Sequence, residues 1–274
     1  MNFNYSPFFV VLVIICSITI STERNKTMND CPALKESGSF LTTDKLGSPI
    51  ILEWKKTTIV STDFANTMGK MWDFACDAYT PVEMQFLKAF PEVVQTEAYF
   101  KPFESLFAND VTNVSWNAAT KIMESILQNH FVFDPAKFPE QVIAMFSQDS
   151  CFVIVATDKR TDKPIGFITF LIRANYPADN VKVMSFAVAT TEQNRGIGKL
   201  LMSSIFKIIP SIKRIFLCTR ITNINALQAY HSWGFVADEN PLMDHPFNVA
   251  HWSFMEYKTE QTNILQERAT TLID

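Results

Sequence analysis

Three apolar runs between Cys151 and Ala189 dominate the hydrophobic pattern of this chain. They read CFVIVAT, IGFITFLIRA and VKVMSFAVA, are rich in β-branched and aromatic residues, and are separated by turn residues at 158–164 and 175–180. That pattern predicts three strands. The period then changes. Ile197, Leu200, Leu201, Ser204, Ile205 and Ile208 fall on one face of a helix that Pro210 ends. A short strand over 214–219 follows. A helix is expected to start at Asn223 or Asn225 and end near Trp233-Gly234, and 235–237 and 251–258 read as a closing strand pair. Residues 259–274 read as a polar, frayed tail.

Upstream the pattern is mostly helical. Residues 23–49 are polar, carry Pro32, Gly38, Gly47 and Pro49, and read as a linker. IILEWKKTTIV, 50–60, predicts one or two early strands. Residues 63–79 predict a helix. Thr80-Pro81-Val82-Glu83 has the form of a capping box with proline at the first helical position, so a second helix is expected from there. Ser115 caps a predicted helix to about 129, and prolines 135 and 139 bracket another reaching 146. Phe86, Phe90, Phe100, Phe103 and Phe107 in this stretch read as core, with an acceptor wall or a homodimer face as the other reading.

Composition narrows the function classes. A net charge of −4 without a basic tract argues against nucleic acid as partner, since phosphate neutralisation needs clustered Lys and Arg. Five scattered cysteines without CxxC spacing and four histidines without ligand spacing indicate neither a disulfide framework nor a metal site. Residues 1–22 hold an apolar run at 8–20, short for a membrane span of about 20 residues. Three readings fit it: a membrane anchor, a cleaved signal, or a true start at Met28. Arg24 and Lys26 after the run favour a cytoplasmic location for the rest of the chain.

The loop between the third strand and the helix carries the chemistry. Two glycines, Gly196 and Gly198, precede a helix, an arrangement that aims backbone N–H groups at one point and attracts phosphate. A P-loop is excluded: Leu200 stands where Ser or Thr should follow Gly198-Lys199, and Gln193 replaces the first glycine. A dinucleotide fingerprint fails too, because Leu201 stands at the third glycine. What remains is Gln193-x-x-Gly196-x-Gly198 after Phe186-Ala187-Val188, with Asn225, Tyr230 and Gly234-Phe235 some 30 residues on. These segments resemble the two main motifs of the GCN5-related N-acetyltransferase (GNAT) family over 150–258, with Thr190 in place of the usual proline.

The resemblance implies an α/β fold: a mixed, twisted sheet with helices on both faces, a long helical insertion within 50–149 before the second core strand, and a core domain over 150–258. It implies acetyl-CoA as acyl donor, with no metal, and a small-molecule or protein amine as acceptor. Its diphosphate would meet the backbone of Gln193, Asn194, Arg195, Gly196, Ile197, Gly198 and Lys199. Its arm would lie along Phe186, Ala187 and Val188, where a backbone N–H near Val188 polarises the thioester, with Asn225 bonding the arm. Tyr230 matches the family's general acid. An ordinary phenol, of pKa about 10, keeps its proton at neutral pH and can give it to a leaving thiolate. The usual strand glutamate is Met184 here. Candidate bases elsewhere are His130, Asp149, His245 and His251, and a non-catalytic acyl-CoA-binding module is the alternative.

Overall fold

The computed structural model describes residues 35–56, 62–90, 92, 150–172, 177, 179–239, 251–270 and 272. The apolar segment 8–20, the helices expected over 115–129 and 134–146, Phe100, Phe103, Phe107, His130, Asp149 and His245 lie outside them.

In chain order the described elements are β1 (Ser37–Thr43), β2 (Pro49–Lys56), α1 (Thr62–Ala89), β3 (Ser150–Asp158), β4 (Lys163–Ile172) and β5 (Asn180–Val188). A 3-10 turn at Thr190–Glu192 leads to α2 (Ile197–Ile208), β6 (Arg214–Arg220), α3 (Ile224–Ser232), β7 (Val236–Ala237), β8 (Trp252–Lys258) and α4 (Ile264–Ala269). The strands form one sheet in the order β1-β2-β3-β4-β5-β6-β8-β7. Every neighbouring pair is antiparallel except β5 and β6.

Both faces of this sheet are covered, which explains why the central strands read as near-continuous apolar runs. Phe152, Ile154, Ala156, Ile168 and Phe170 pack with Ile197, Leu200, Leu201 and Ile205 of α2 on one face. Val153, Val155, Phe167 and Ala187 pack with Met71 and Ala75 of α1 on the other. The expected mixed sheet with helices on both faces is therefore present.

One irregularity positions the site. Thr169 pairs with Ser185 but Phe170 pairs with Val183, so Met184 is an extra, bulged residue in β5. A bulge bends its strand and reverses which side chains face which side. Before it, Val181 and Val183 point to the α2 face; after it, Phe186 and Val188 do. Parallel pairing with β6 covers only Asn180↔Arg214, Val181↔Ile215 and Lys182↔Phe216. Beyond that point β5 stays with β4 as far as Val188, while β6 stays with β8 as far as Arg220. The two strands part and leave a cleft in the middle of the sheet.

Three expectations differ from what is found. The stretch read as linker contains β1, an edge strand whose burial alternates; Phe40 is its one buried large apolar residue, too weak a signal to stand out among Ser, Gly and Thr. The capping box at 80–83 starts no helix: α1 runs unbroken through Pro81. Glu83 does not fold back on Thr80 but reaches Arg220 on β6, and Met71, Ala75, Phe86 and Leu87 are buried on either side of the proline. That packing and ion pair offset a proline cost of about 3 kcal/mol. The tail, finally, is docked. Leu265, Ala269 and Leu272 are buried against α2, and Tyr257 Oη donates to the Thr262 carbonyl at 2.8 Å.

Candidate functional site

The loop before α2 turns sharply because two residues take left-handed conformations, Asn194 (φ 64°) and Gly196 (φ 83°). Gly196 is the N-cap of α2, and no side chain caps that helix. Its first-turn amides, on Ile197, Gly198 and Lys199, lack partners inside the helix, and the helix dipole adds positive potential there. The first turn contains no acidic residue. Gln193 and Asn194 are exposed, while Lys199 is half-buried.

Carboxylates fix the loop from behind. Arg195 Nε donates to Asp44 Oδ2 at 2.6 Å, and the guanidinium also pairs with Asp158 at 3.3 Å and with Glu192. The Arg195 carbonyl accepts from the Lys45 amide at 2.9 Å. Burial pushes the Asp44 carboxyl up, but the Ser48 amide, Arg195 and the Leu46 amide together bring it below its ordinary value. Asp158 is held well below the usual carboxylate range, first by the Arg160 side chain and amide and then, against the cost of burial, by Arg195. The Arg195 side chain is thus committed to three acids, and it anchors the loop to the β1–β2 and β3–β4 turns.

Gly198 has a second role besides close approach. A Cβ there would lie 3.0 Å from Phe186 Cζ and 3.1 Å from Trp233 Cη2. The loop therefore rests on the aromatic rings that line the cleft. Phe186 in turn lies 6.4 Å from Tyr230 and 6.1 Å from Trp233, centroid to centroid. Tyr230 sits in the last turn of α3, 7% exposed, against Trp233 and Phe235. Among the described residues no hydrogen bond engages its hydroxyl. Burial raises its pKa well above 10, with smaller contributions from nearby Tyr79 and Cys218, so it keeps its proton.

The parted edge of β5 supplies main-chain groups. The Ala189 amide bonds the Ile165 carbonyl on the β4 side. By the alternation of an antiparallel ladder, the N–H and C=O of Phe186 and Val188 then face the cleft, and those of Ala187 face β4. Two contacts agree with this. Gln193 Nε2 donates to the Val188 carbonyl at 3.3 Å. Tyr79 Oη donates to the Phe186 carbonyl at 2.8 Å and accepts from the Phe186 amide at 3.1 Å. Sequence reasoning missed Tyr79; its only local signal was its place beside Met71, Ala75 and Ala78 on the inner face of α1.

The remaining predicted residues sort as follows. Asn223, not Asn225, caps α3: its Oδ1 accepts from the Ala226 amide, and its Nδ2 donates to Thr219 Oγ1. Asn225 is exposed in the first turn of α3. Met184 is the bulged residue itself, so no carboxylate stands at that point of β5. His251 is buried against Phe86 and Phe90, at 5.3 and 4.7 Å. Among the described residues no group of three or more His, Cys, Asp or Glu is arranged to take a metal ion. No described helix is long and apolar enough to cross a membrane.

Residues 119–235 match the model of the acetyltransferase (GNAT) family, less than half of the chain. Several solved structures are similar. The PaiA N-acetyltransferase of Thermoplasma acidophilum, in complex with coenzyme A, is 15% identical over 76% of this chain and 98% of its own, with a TM-score of 0.44. A dodecameric spermidine N-acetyltransferase from Vibrio cholerae is 18% identical over 49% of this chain and 78% of its own, at 0.37. Nourseothricin acetyltransferase is 18% identical over 39% of this chain, at 0.33, and the match spans 65% of its length. No curated protein sequence matches the chain. The family match takes in both edges of the cleft, the loop at its mouth and the helix bearing Tyr230, so it is the site-bearing part of this chain that is similar to the acetyltransferase (GNAT) family.

Proposed function

We propose that the domain transfers acetyl from acetyl-CoA to a primary amine, in a ternary complex and without a covalent enzyme intermediate. One observation carries this reading: an uncapped helix N-terminus opens directly onto a cleft whose two strand edges no longer pair with each other, with a protonated phenol in its wall. The cofactor's diphosphate fits the amides of Ile197, Gly198 and Lys199, with the Lys199 ammonium as counter-charge and the backbone of 193–196 completing the cradle. Its arm fits the cleft-facing edge of β5, where the Val188 N–H is aimed to polarise the thioester carbonyl. Phe186 and Ala187 complete that edge, and Asn225 stands at the start of the opposite helix.

Amine nitrogen attacks the thioester carbon to form a tetrahedral adduct, the C–S bond breaks as Tyr230 gives its proton to sulfur, the nitrogen loses its extra proton to solvent, and solvent returns a proton to Tyr230, leaving an amide and a free thiol. The high pKa of the buried Tyr230 is compatible with this transfer. The same apolar surroundings disfavour a thiolate, so donor and acceptor pKa values rise together.

The test is to titrate acetyl-CoA by calorimetry, then add a panel of amines while free thiol is monitored. Thiol release that depends on a primary amine supports the transferase. Tight binding with no release from any amine identifies an acyl-CoA-binding module instead. Met184 at the bulge favours that second reading, since it supplies no base.

A further inference from the structure

We propose that Tyr79 belongs to the acyl-donor site: its hydroxyl occupies the β5 edge that the donor's arm needs, so that binding must displace it. This rests on the reading that coenzyme A binds in the cleft.

The geometry is specific. Where β5 leaves β6, its cleft-facing peptide groups lose their strand partner. An unpaired N–H or C=O in a largely apolar cleft is costly, and proteins fill such positions. Here one phenol fills two. Tyr79 Oη lies 2.8 Å from the Phe186 oxygen and 3.1 Å from the Phe186 nitrogen, although the two residues stand 107 positions apart in the chain. A hydroxyl is suited to this because it both donates and accepts, as a ligand amide would. Burial pushes Tyr79 up to about 12, so the donated proton is always present. Among the described residues, the neighbouring cleft-facing residue, Val188, has the exposed Gln193 amide alone on its carbonyl. A ligand running along β5 therefore meets Val188 lightly engaged and Phe186 fully engaged.

The position of Tyr79 also explains how it can move. It lies on α1, on the sheet face opposite α2, and one turn before Glu83, whose carboxylate pairs with Arg220 of β6 at 3.2 Å. Helix α1 thus reaches β5 through Tyr79 and β6 through Glu83. Its side chains bridge the parted strands four residues beyond their last pair, and a change of the Tyr79 rotamer frees the Phe186 edge without disturbing the Glu83 bridge.

The experiment compares coenzyme A and acetyl-CoA affinities of the wild type and Tyr79→Phe by calorimetry, with a crystal structure of the wild-type complex. Loss of the hydroxyl leaves the Phe186 groups to be satisfied by the ligand alone, so Tyr79→Phe should bind about 5- to 10-fold tighter, the worth of about one net hydrogen bond. A merely structural role for Tyr79 would weaken binding, so the sign is diagnostic. The complex should show Tyr79 Oη moved off Phe186. Equal or weaker binding by the variant, or a complex in which both Tyr79 contacts persist, overturns the proposal while leaving the cofactor reading intact. Absence of binding by both proteins overturns the cofactor reading, and the Tyr79 proposal with it.

Discussion

Arg195→Ala tests whether the guanidinium builds the loop or touches the cofactor. Removing it strands two carboxylates, those of Asp44 and Asp158, whose side chains are 0% and 5% exposed. Breaking a buried ion pair from one side costs about 3–5 kcal/mol. Here each acid keeps other donors: Asp44 the amides of Leu46 and Ser48, both at 2.8 Å, and Asp158 the Arg160 side chain at 2.7 Å. The expected loss is therefore about 2–3 kcal/mol, below that range, or a fall in Tm of about 5–10 °C. The sign with pH follows from the lowered carboxyl pKa values of both acids. Their contribution is present above the unfolded value near 3.8 and is lost as pH falls through the lower folded values. The gap between wild type and variant should thus be full at pH 7 and shrink below about pH 4. Urea denaturation at several pH values measures it. Asp44→Asn in the Arg195→Ala background should restore part of the loss, since the neutral amide needs no counter-charge. Stability within about 0.5 kcal/mol of wild type at pH 7, together with coenzyme A affinity that falls steeply with salt, would refute the anchoring role and place the guanidinium on phosphate.

Tyr230→Phe should lower kcat by about 10²–10⁴ while acetyl-CoA affinity measured by calorimetry stays within about twofold; an unchanged kcat removes Tyr230 as the acid. With an alkylamine acceptor, kcat/KM should rise about tenfold per pH unit from 6 to 9, because only about one molecule in 2,500 is neutral at pH 7. Tyr230, its pKa raised by burial, should impose no fall in that range. A plateau reached below pH 8 would instead reveal a general base. Gly198→Ala forces the Phe186 and Trp233 rings to yield a few tenths of an ångström. Overpacking of about 1–3 kcal/mol, less about 1 kcal/mol of helix propensity, leaves a small stability loss. Coenzyme A affinity should fall more than tenfold, and full retention of affinity would show that the ligand does not approach this turn.

Local periodicity was enough to delimit β3 to β6, α2, α3 and the β7–β8 pair, because alternation and 3.6-residue spacing are properties of neighbouring residues. The two-glycine turn was legible for the same reason: Gly196 needs a left-handed φ, and that demand is written in one residue. The bulge at Met184 was not legible, since a bulged residue is defined by what its partner strand opposes to it. Nor were the partners of Arg195, which come from turns 151 and 37 residues away, nor the bond between Tyr79 and Phe186. At 80–83 a sound local signal lost outright, because the packing of α1 and the Glu83–Arg220 pair outweighed a helix start. Sequence alone therefore determined the elements from β3 to β8 and the two-glycine turn, but not β1, the unbroken α1 or the docked α4. Tertiary structure decided where β5 and β6 part and which side chains stand in the opening, because those depend on strand register and on contacts between distant segments, which no local pattern encodes.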